Sequence, residues 1–216
     1  AFVNFYADLA HDVKGHHLSR FVEILYKNRD KSLSPHSLTI IAKEARKILK
    51  SEKIWLEVSF IYFIQKQSPV SKKYGFGSYD CKIISEVDSE NYKKKMTINV
   101  PVLLLCPCSK AISKYSSHNQ RANLRLEVDF TGNLWIEDLV KIAEKEGSSE
   151  IFPLLKRVDE KYVTEASYEN PKFVEDVVRD VALKIKKIPN IKSFIVDCES
   201  LESVHNHNAY AKYSSG

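Results

Sequence analysis

The chain has 216 residues, 44% of them hydrophobic and 28% charged, with only 6 glycines and 7 prolines. That length supports a substantial apolar core, and the composition excludes disorder and fibrous architectures. No apolar run reaches the roughly 20 residues a membrane helix needs, the longest being 100–106. The formal net charge of +5 is spread along the chain with acidic residues between the basic ones, which argues against a nucleic-acid polymer as partner and suits a small polyphosphate. Lys93, Lys94 and Lys95 form the densest basic cluster and are expected at a solvated strand end or turn. Four cysteines are too few for a disulfide scaffold and no signal peptide is read before them, so a reducing cytoplasm is expected. Ala1 already falls inside an expected strand, so a segment upstream of it is expected to be missing.

In chain order, residues 2–9 read as a strand and 11–17 as a polar connection broken by Gly15. Residues 19–27 look helical. Ser34-Pro35 opens a second helix, in which Leu38, Ile41, Ala42, Ala45, Ile48 and Leu49 recur at helical spacing. Residues 53–65 are a strand by their β-branched and aromatic content, 68–77 a turn-rich link, 79–87 a strand and 92–105 a long strand. A strand over 123–130, helices over 136–146 and 171–187, and strands near 194–198 and Tyr210 follow. The second half thus echoes the first, which suggests a tandem duplication of antiparallel strands with helices on one face, an α+β architecture. The two halves, 1–90 and 91–216, are expected to share one sheet.

The most informative stretch is Cys106-Pro107-Cys108-Ser109-Lys110 followed by Ser117-His118-Asn119-Gln120-Arg121. It gathers two thiols, an imidazole and two cations. Cys106 ends an apolar strand, and Pro107 restricts the backbone there. A cysteine thiolate is both a metal ligand and a nucleophile, and Lys110 and Arg121 nearby would favour the charged form. Cys106 and Cys108 are expected to diverge, one binding metal while the other points elsewhere. The plainer reading is two small core cysteines and a surface histidine.

The second stretch runs from Glu199 to His207. Strand alternation would place Glu199, Leu201, Ser203, His205 and His207 on one face and Glu202, Val204 and Asn206 on the other. With Cys106 these carboxylates and imidazoles would form a donor set suited to zinc, manganese or ferrous iron; a hydrated polar strand is the alternative. Glu175 falls in the first turns of an expected helix, where a carboxylate already suits the helix dipole. His16, His17 and Arg20 read first as surface residues.

Together these stretches resemble the type IB GTP cyclohydrolase family, whose signature is similar to Cys-Pro-Cys-Ser-Lys followed by His-Asn-Gln-Arg. The resemblance continues through Lys14-Gly15, Ser19 to Glu23, Ser68-Pro69-Val70-Ser71, Asp159 to Glu165, Tyr168 to Asp176 and Glu202 to His207, nearly the whole chain. It implies the tunnelling fold (T-fold) with two modules fused in one subunit, and a homotetramer with active sites at subunit interfaces. It also implies hydrolytic opening of the GTP imidazole ring to 7,8-dihydroneopterin triphosphate and formate, the first step of folate-type pterin synthesis.

The same resemblance implies a divalent metal, Zn²⁺ or Mn²⁺ with Fe²⁺ also accommodated. Cys106 would be its thiolate ligand, Glu160 and His205 co-ligands, and His118 a ligand or proton shuttle. Cys108 or His118 would serve as general acid or base. Glu175 would accept hydrogen bonds from guanine N1 and N2. Lys110, Gln120 and Arg121 would bind the rest of the substrate, with Lys14 and Arg157 contributed to the triphosphate from another subunit. Competing readings are an archaeal-type relative releasing a cyclic phosphate, a reductase acting on a deazapurine nitrile, and a non-catalytic zinc-stabilised protein.

Overall fold

The structure, a computed structural model, describes every residue except 10, 12–14 and 16; the expectations for Lys14 and His16 lie outside the described residues. Strand β1 (Phe2–Ala7) is followed by helices α1 (Ser19–Lys27) and α2 (Pro35–Leu49) and strands β2 (Ile54–Gln67), β3 (Tyr74–Val87) and β4 (Tyr92–Leu105). Then come α3 (Pro107–Ile112), β5 (Asn119–Phe130), α4 (Ile136–Glu146), β6 (Ser149–Glu150), α5 (Arg157–Glu169), α6 (Val174–Ile185), β7 (Ile191–Ser200) and β8 (Ala209–Ser215).

All the strands belong to one sheet in the order β1-β2-β3-β4-β5-β7-β8, with β6 paired to β4, and every pairing is antiparallel. The register stacks Val58, Ile83, Met96, Val128 and Phe194 across neighbouring strands on one face, and all of these are at most 4% exposed. Strand side chains alternate, so the partner face carries polar residues such as Lys95, Arg125, Glu127 and Asp197. The apolar stripes of α2 (Leu38, Ile41, Ala42, Ala45, Leu49) and α6 (Val174, Val177, Val178, Val181, Ile185) join the same core cluster. Ser34 caps α2 through the Ser37 amide with Pro35 in the first turn, and Lys50 ends it in the left-handed conformation at φ 53°.

The expected tunnelling fold of two tandem modules is corrected. The one sheet runs on through the hairpin between β3 and β4, which pair from Val87↔Tyr92 to Asp80↔Asn99. Beyond Asp80 the β2–β3 hairpin leaves β4, and β6 takes its place through Val102↔Glu150. Pro101, which has no N–H to give, sits at that handover.

Other expectations shift too. Helix α5 was not foreseen, α6 is shorter than 171–187, and β5 begins at Asn119 rather than 123. Lys94 is not solvated: it is 6% exposed, its ammonium donates to the Gly132 carbonyl and lies 5.0 Å from the Phe130 ring centre. Its neighbours Lys93 and Lys95 take the opposite face of β4, because Lys94 shares a face with Met96.

Candidate active site

The site lies where β4 ends. Pro107 opens α3, so Cys106 is a helix N-cap, not the last strand residue, and its Sγ accepts the Ser109 amide at 3.4 Å. Cys108, two residues on, stands exposed on α3, so the turn into this helix and not a strand relates the two thiols. The chain then returns, and the Cys106 amide donates to the His118 carbonyl at 3.2 Å while Ser117 Oγ donates to the Cys106 carbonyl at 2.7 Å. Cys106 and His118 thus close a loop at the mouth of the β4–β5 hairpin.

In β5 the motif divides. Gln120 points to the helix-covered face opposite Leu104, and Arg121, one residue on, takes the other face opposite Leu103 and is exposed. Gln120 Nε2 donates to Ser200 Oγ and to Glu202 Oε1, both at 3.2 Å, and Ser200 Oγ donates to the same Glu202 oxygen at 2.7 Å. The amide oxygen of Gln120 lies 2.9 Å from His118 Nδ1. Glu202 reaches this position because β7 stops at Ser200 and the Leu201 amide bonds back to the Arg121 carbonyl at 2.9 Å. The alternation expected along 199–207 is therefore corrected. His205 meets the His118 ring edge-on with centres 6.3 Å apart, and His207 stacks on His205 at 5.3 Å.

A third segment arrives from α6. The Lys172 amide donates to the Leu105 carbonyl at 3.1 Å, which fastens the entry of α6 to the end of β4. Asp176 caps the helix through the Phe173 amide at 3.2 Å. Cys106, Gln120, Glu175 and Glu202 consequently line one cavity of about 150 Å³, edged by Lys172. Burial lowers the Lys172 pKa, but Asp180 at 2.8 Å and Glu146 at 3.3 Å outweigh it and raise the pKa overall, so a fixed positive charge borders the cavity.

Other expected residues lie elsewhere. The Lys110 ammonium donates to the Tyr168 carbonyl and sits 4.3 Å from that ring centre. Arg157 and Glu160 are exposed at the start of α5, and no hydrogen bond ties Glu160 to Cys106, His118 or His205. Among the described residues no three His, Cys, Asp or Glu side chains are grouped closely enough to hold a metal ion.

Two motifs prove to serve each other. Asp159, fully buried in α5, accepts the Val70 and Ser71 amides at 2.8 Å and the Ser71 hydroxyl at 2.6 Å, besides the Lys156 amide at 2.8 Å. Burial would raise its pKa, yet the Ser71 hydroxyl and these amides together hold the carboxyl well below the usual range. Sequence reasoning also passed over Lys172 and the tie between Gln120 and Glu202. Both stand inside stretches already singled out, but only pairing across distant strands reveals their partners.

Comparison with known proteins agrees with this arrangement. A family model described as "Type I GTP cyclohydrolase folE2" matches residues 1–211. The chain is 47% identical to GTP cyclohydrolase FolE2 of Thermosipho africanus over 99% of this chain and 82% of that protein. It is likewise 47% identical to the GTP cyclohydrolase FolE2 of Syntrophobacter fumaroxidans over 98% of this chain and 82% of that one. Among solved structures it resembles uricase from Arthrobacter globiformis, with a TM-score of 0.54, 9% identity and coverage of 98% of this chain and 84% of that one. A hyper-thermostable variant of that uricase gives a TM-score of 0.57 at 10% identity, covering 99% and 83%. These likenesses concern the fold alone; they complete the correction of the tunnelling-fold expectation, the neighbours being uricases and this chain forming one eight-stranded sheet. By the match along nearly its full length, the chain belongs to the type I GTP cyclohydrolase FolE2 family.

Proposed function

We infer that the chain carries out the reaction named by its family, as a GTP cyclohydrolase of the type IB class in folate-type pterin biosynthesis. Water adds at C8 of GTP, the imidazole ring opens, and formate leaves as 7,8-dihydroneopterin triphosphate forms. The observation that carries this reading is the single cavity shared by Cys106, Gln120, Glu175 and Glu202, whose residues come from three distant segments.

The donor chemistry fits a divalent ion. Cys106, His118, His205 and Glu202 stand on adjoining segments whose thiol, imidazole and carboxylate chemistry suits Zn²⁺, Mn²⁺ or Fe²⁺, and their side chains would have to close up to share one ion. Cys106 and His205 would hold the metal, with His118 or Glu202 beside them. Glu160, exposed on α5, would join only from a neighbouring subunit. A bound metal lowers the pKa of water enough to supply hydroxide at neutral pH.

The chain's own residues do the rest. Glu175 accepts the N1–H and N2–H of guanine and orients the base with C8 toward Cys106. His118, with Cys108 as the second candidate, moves protons to and from the purine ring. Lys172 holds positive charge at the cavity edge. Lys110, Arg121 and Arg157 remain the proposed triphosphate contacts, and an assembly of subunits would be needed to bring them to one site. A homotetramer is supported by Ile61, Phe63 and Phe76, which are 57%, 61% and 66% exposed on the hairpin that projects past β4. A division of the chain near residue 90 is supported by the hairpin there, with α1 and α2 before it and the remaining helices after. No helix among the described residues is long and apolar enough to cross a membrane, and a reducing cytoplasm is supported by the need for a reduced Cys106.

The test is GTP turnover followed by pterin fluorescence and formate release, with Mn²⁺, Zn²⁺ or Fe²⁺ added and Cys106→Ala as control. Metal-dependent product absent from the variant supports the reading. Folded, metal-loaded protein that yields neither product nor formate from GTP overturns it.

A further inference from the structure

We propose that Gln120 is a positioning residue that fixes the tautomer of His118, with the proton on Nδ1 and a free lone pair on Nε2. This deepens the reading of His118 as a proton shuttle or ligand and rests on it.

The argument is an accounting of donors and acceptors. The Glu202 carboxylate only accepts. Ser200 Oγ spends its one hydrogen on Glu202 Oε1 at 2.7 Å, so toward Gln120 it can only accept. Both partners on that side therefore require the amide nitrogen of Gln120, which supplies its two hydrogens to them at 3.2 Å each. The amide cannot be reversed without setting its oxygen against a carboxylate oxygen. Gln120 is 9% exposed and Ser200 is fully buried, so water is not at hand to repair such a reversal.

With the nitrogen committed, the amide oxygen is what faces His118 Nδ1 at 2.9 Å. An acceptor at that distance requires Nδ1 to carry hydrogen. The Ser203 hydroxyl, 3.5 Å from the same nitrogen, is the more distant neighbour. In the neutral ring, one protonated nitrogen leaves the other as acceptor. Nε2 is thus the atom left free to take a proton from the substrate or to bind a metal. The device resembles the outer partners that set ring orientation at metal-binding histidines, but here an amide delivers the constraint of a carboxylate one step further away.

The test is a long-range ¹H–¹⁵N spectrum of the metal-free, full-length protein in its neutral-histidine range, which reads the His118 tautomer without any need for GTP. The wild type is expected to show Nδ1–H. Gln120→Leu should lose that signature and give Nε2–H or a mixture, with kcat down about 10-fold or more and KM within about 2-fold; lost proton-transfer assistance is worth about 10²–10⁴-fold at most. In Gln120→Glu a carboxylate oxygen takes the place of the amide oxygen, so an acceptor still faces His118 Nδ1. That variant is therefore expected to keep the Nδ1–H signature that Gln120→Leu loses, which separates the acceptor facing His118 from a merely structural role of residue 120. An Nε2–H tautomer in the wild type, or an unchanged tautomer in folded Gln120→Leu, overturns the proposal. Failure of GTP turnover with the Nδ1–H signature intact would instead overturn the reaction assigned above.

Discussion

The Asp159 carboxylate holds the Ser71 hydroxyl at 2.6 Å, joining a helix to a loop 88 residues away in sequence. Together with the Val70, Ser71 and Lys156 amides it completes the hydrogen bonding of a fully buried carboxylate.

Asp159→Ala should therefore free the loop that follows β2 without touching the Cys106 cavity. Hydrogen exchange at the Val70 and Ser71 amides should accelerate and the melting temperature fall. The pH dependence follows from the depressed carboxyl. A folded pKa below the unfolded value contributes stability fully present above about pH 4 and lost as pH falls toward the folded value. Denaturation midpoints of wild type and variant should converge in acid; a constant gap down to the most acidic pH would count against this account.

Lys66 and Glu144 form a buried ion pair at 2.6 Å, with Tyr79 donating to the same carboxylate oxygen at 2.7 Å. Burial is the largest influence on Glu144 and leaves its pKa raised despite Lys66. Removing one partner strands the other, so Lys66→Met should cost about 3–5 kcal/mol in urea denaturation. Adding Glu144→Leu should return much of that loss, because an apolar pair of similar volume has no charge to desolvate. A double variant as unstable as the single one would refute the argument.

Glu175→Gln exchanges an acceptor for a donor on one side of the guanine edge. Loss of charge-assisted hydrogen bonds of about 1.5–3 kcal/mol implies a KM for GTP raised by about 10- to 100-fold. Inosine triphosphate lacks the N2 amine, so the variant should also lose much of the preference for GTP over it. Steady-state kinetics with both nucleotides would show this, and an unchanged preference would remove Glu175 from base recognition.

Phe63 and Phe76 stand on the outer face of the projecting β2–β3 hairpin, with Ile61 beside them. Phe63→Asp with Phe76→Asp should leave the subunit folded and shift its mass in sedimentation from oligomer to monomer. If turnover disappears in step with the mass change, the site needs residues from a neighbour. An unaltered mass would show that the hairpin plays no part in assembly.

Much of this fold could be read in the sequence because its signals are local. The β-branched runs of β2 and β4, and Ser34-Pro35 before the periodic stripe of α2, each report their own structure. Helix α5 escaped because it packs few apolar residues: only Asp159 and Ser167 within it are buried, so no apolar stripe betrayed it. The turn after Ser200 was hidden for another reason. Its polar residues alternate plausibly as a strand, and only the bond from Leu201 to Arg121 redirects the chain. Cys106, His118 and Glu175 were identifiable as residue types, whereas the ties that position them run between strands. Lys94 was misjudged because a run of three lysines looks solvated until a strand turns the middle one inward.

The bond between the Cys106 amide and the His118 carbonyl also separates the two ends of the signature from what lies between them. β4 and β5 begin pairing at Leu105↔Asn119, so both residues are held by the hairpin itself. The intervening chain, with Ser116 at φ 124°, is a detour whose length does not set where they stand. A cut made between Ser113 and Lys114 would create two fragments, 1–113 and 114–216, each carrying part of the sheet and part of the site. Recombined, they would restore the centre through strand pairing alone, which makes this loop the natural place to split the enzyme into a complementing pair.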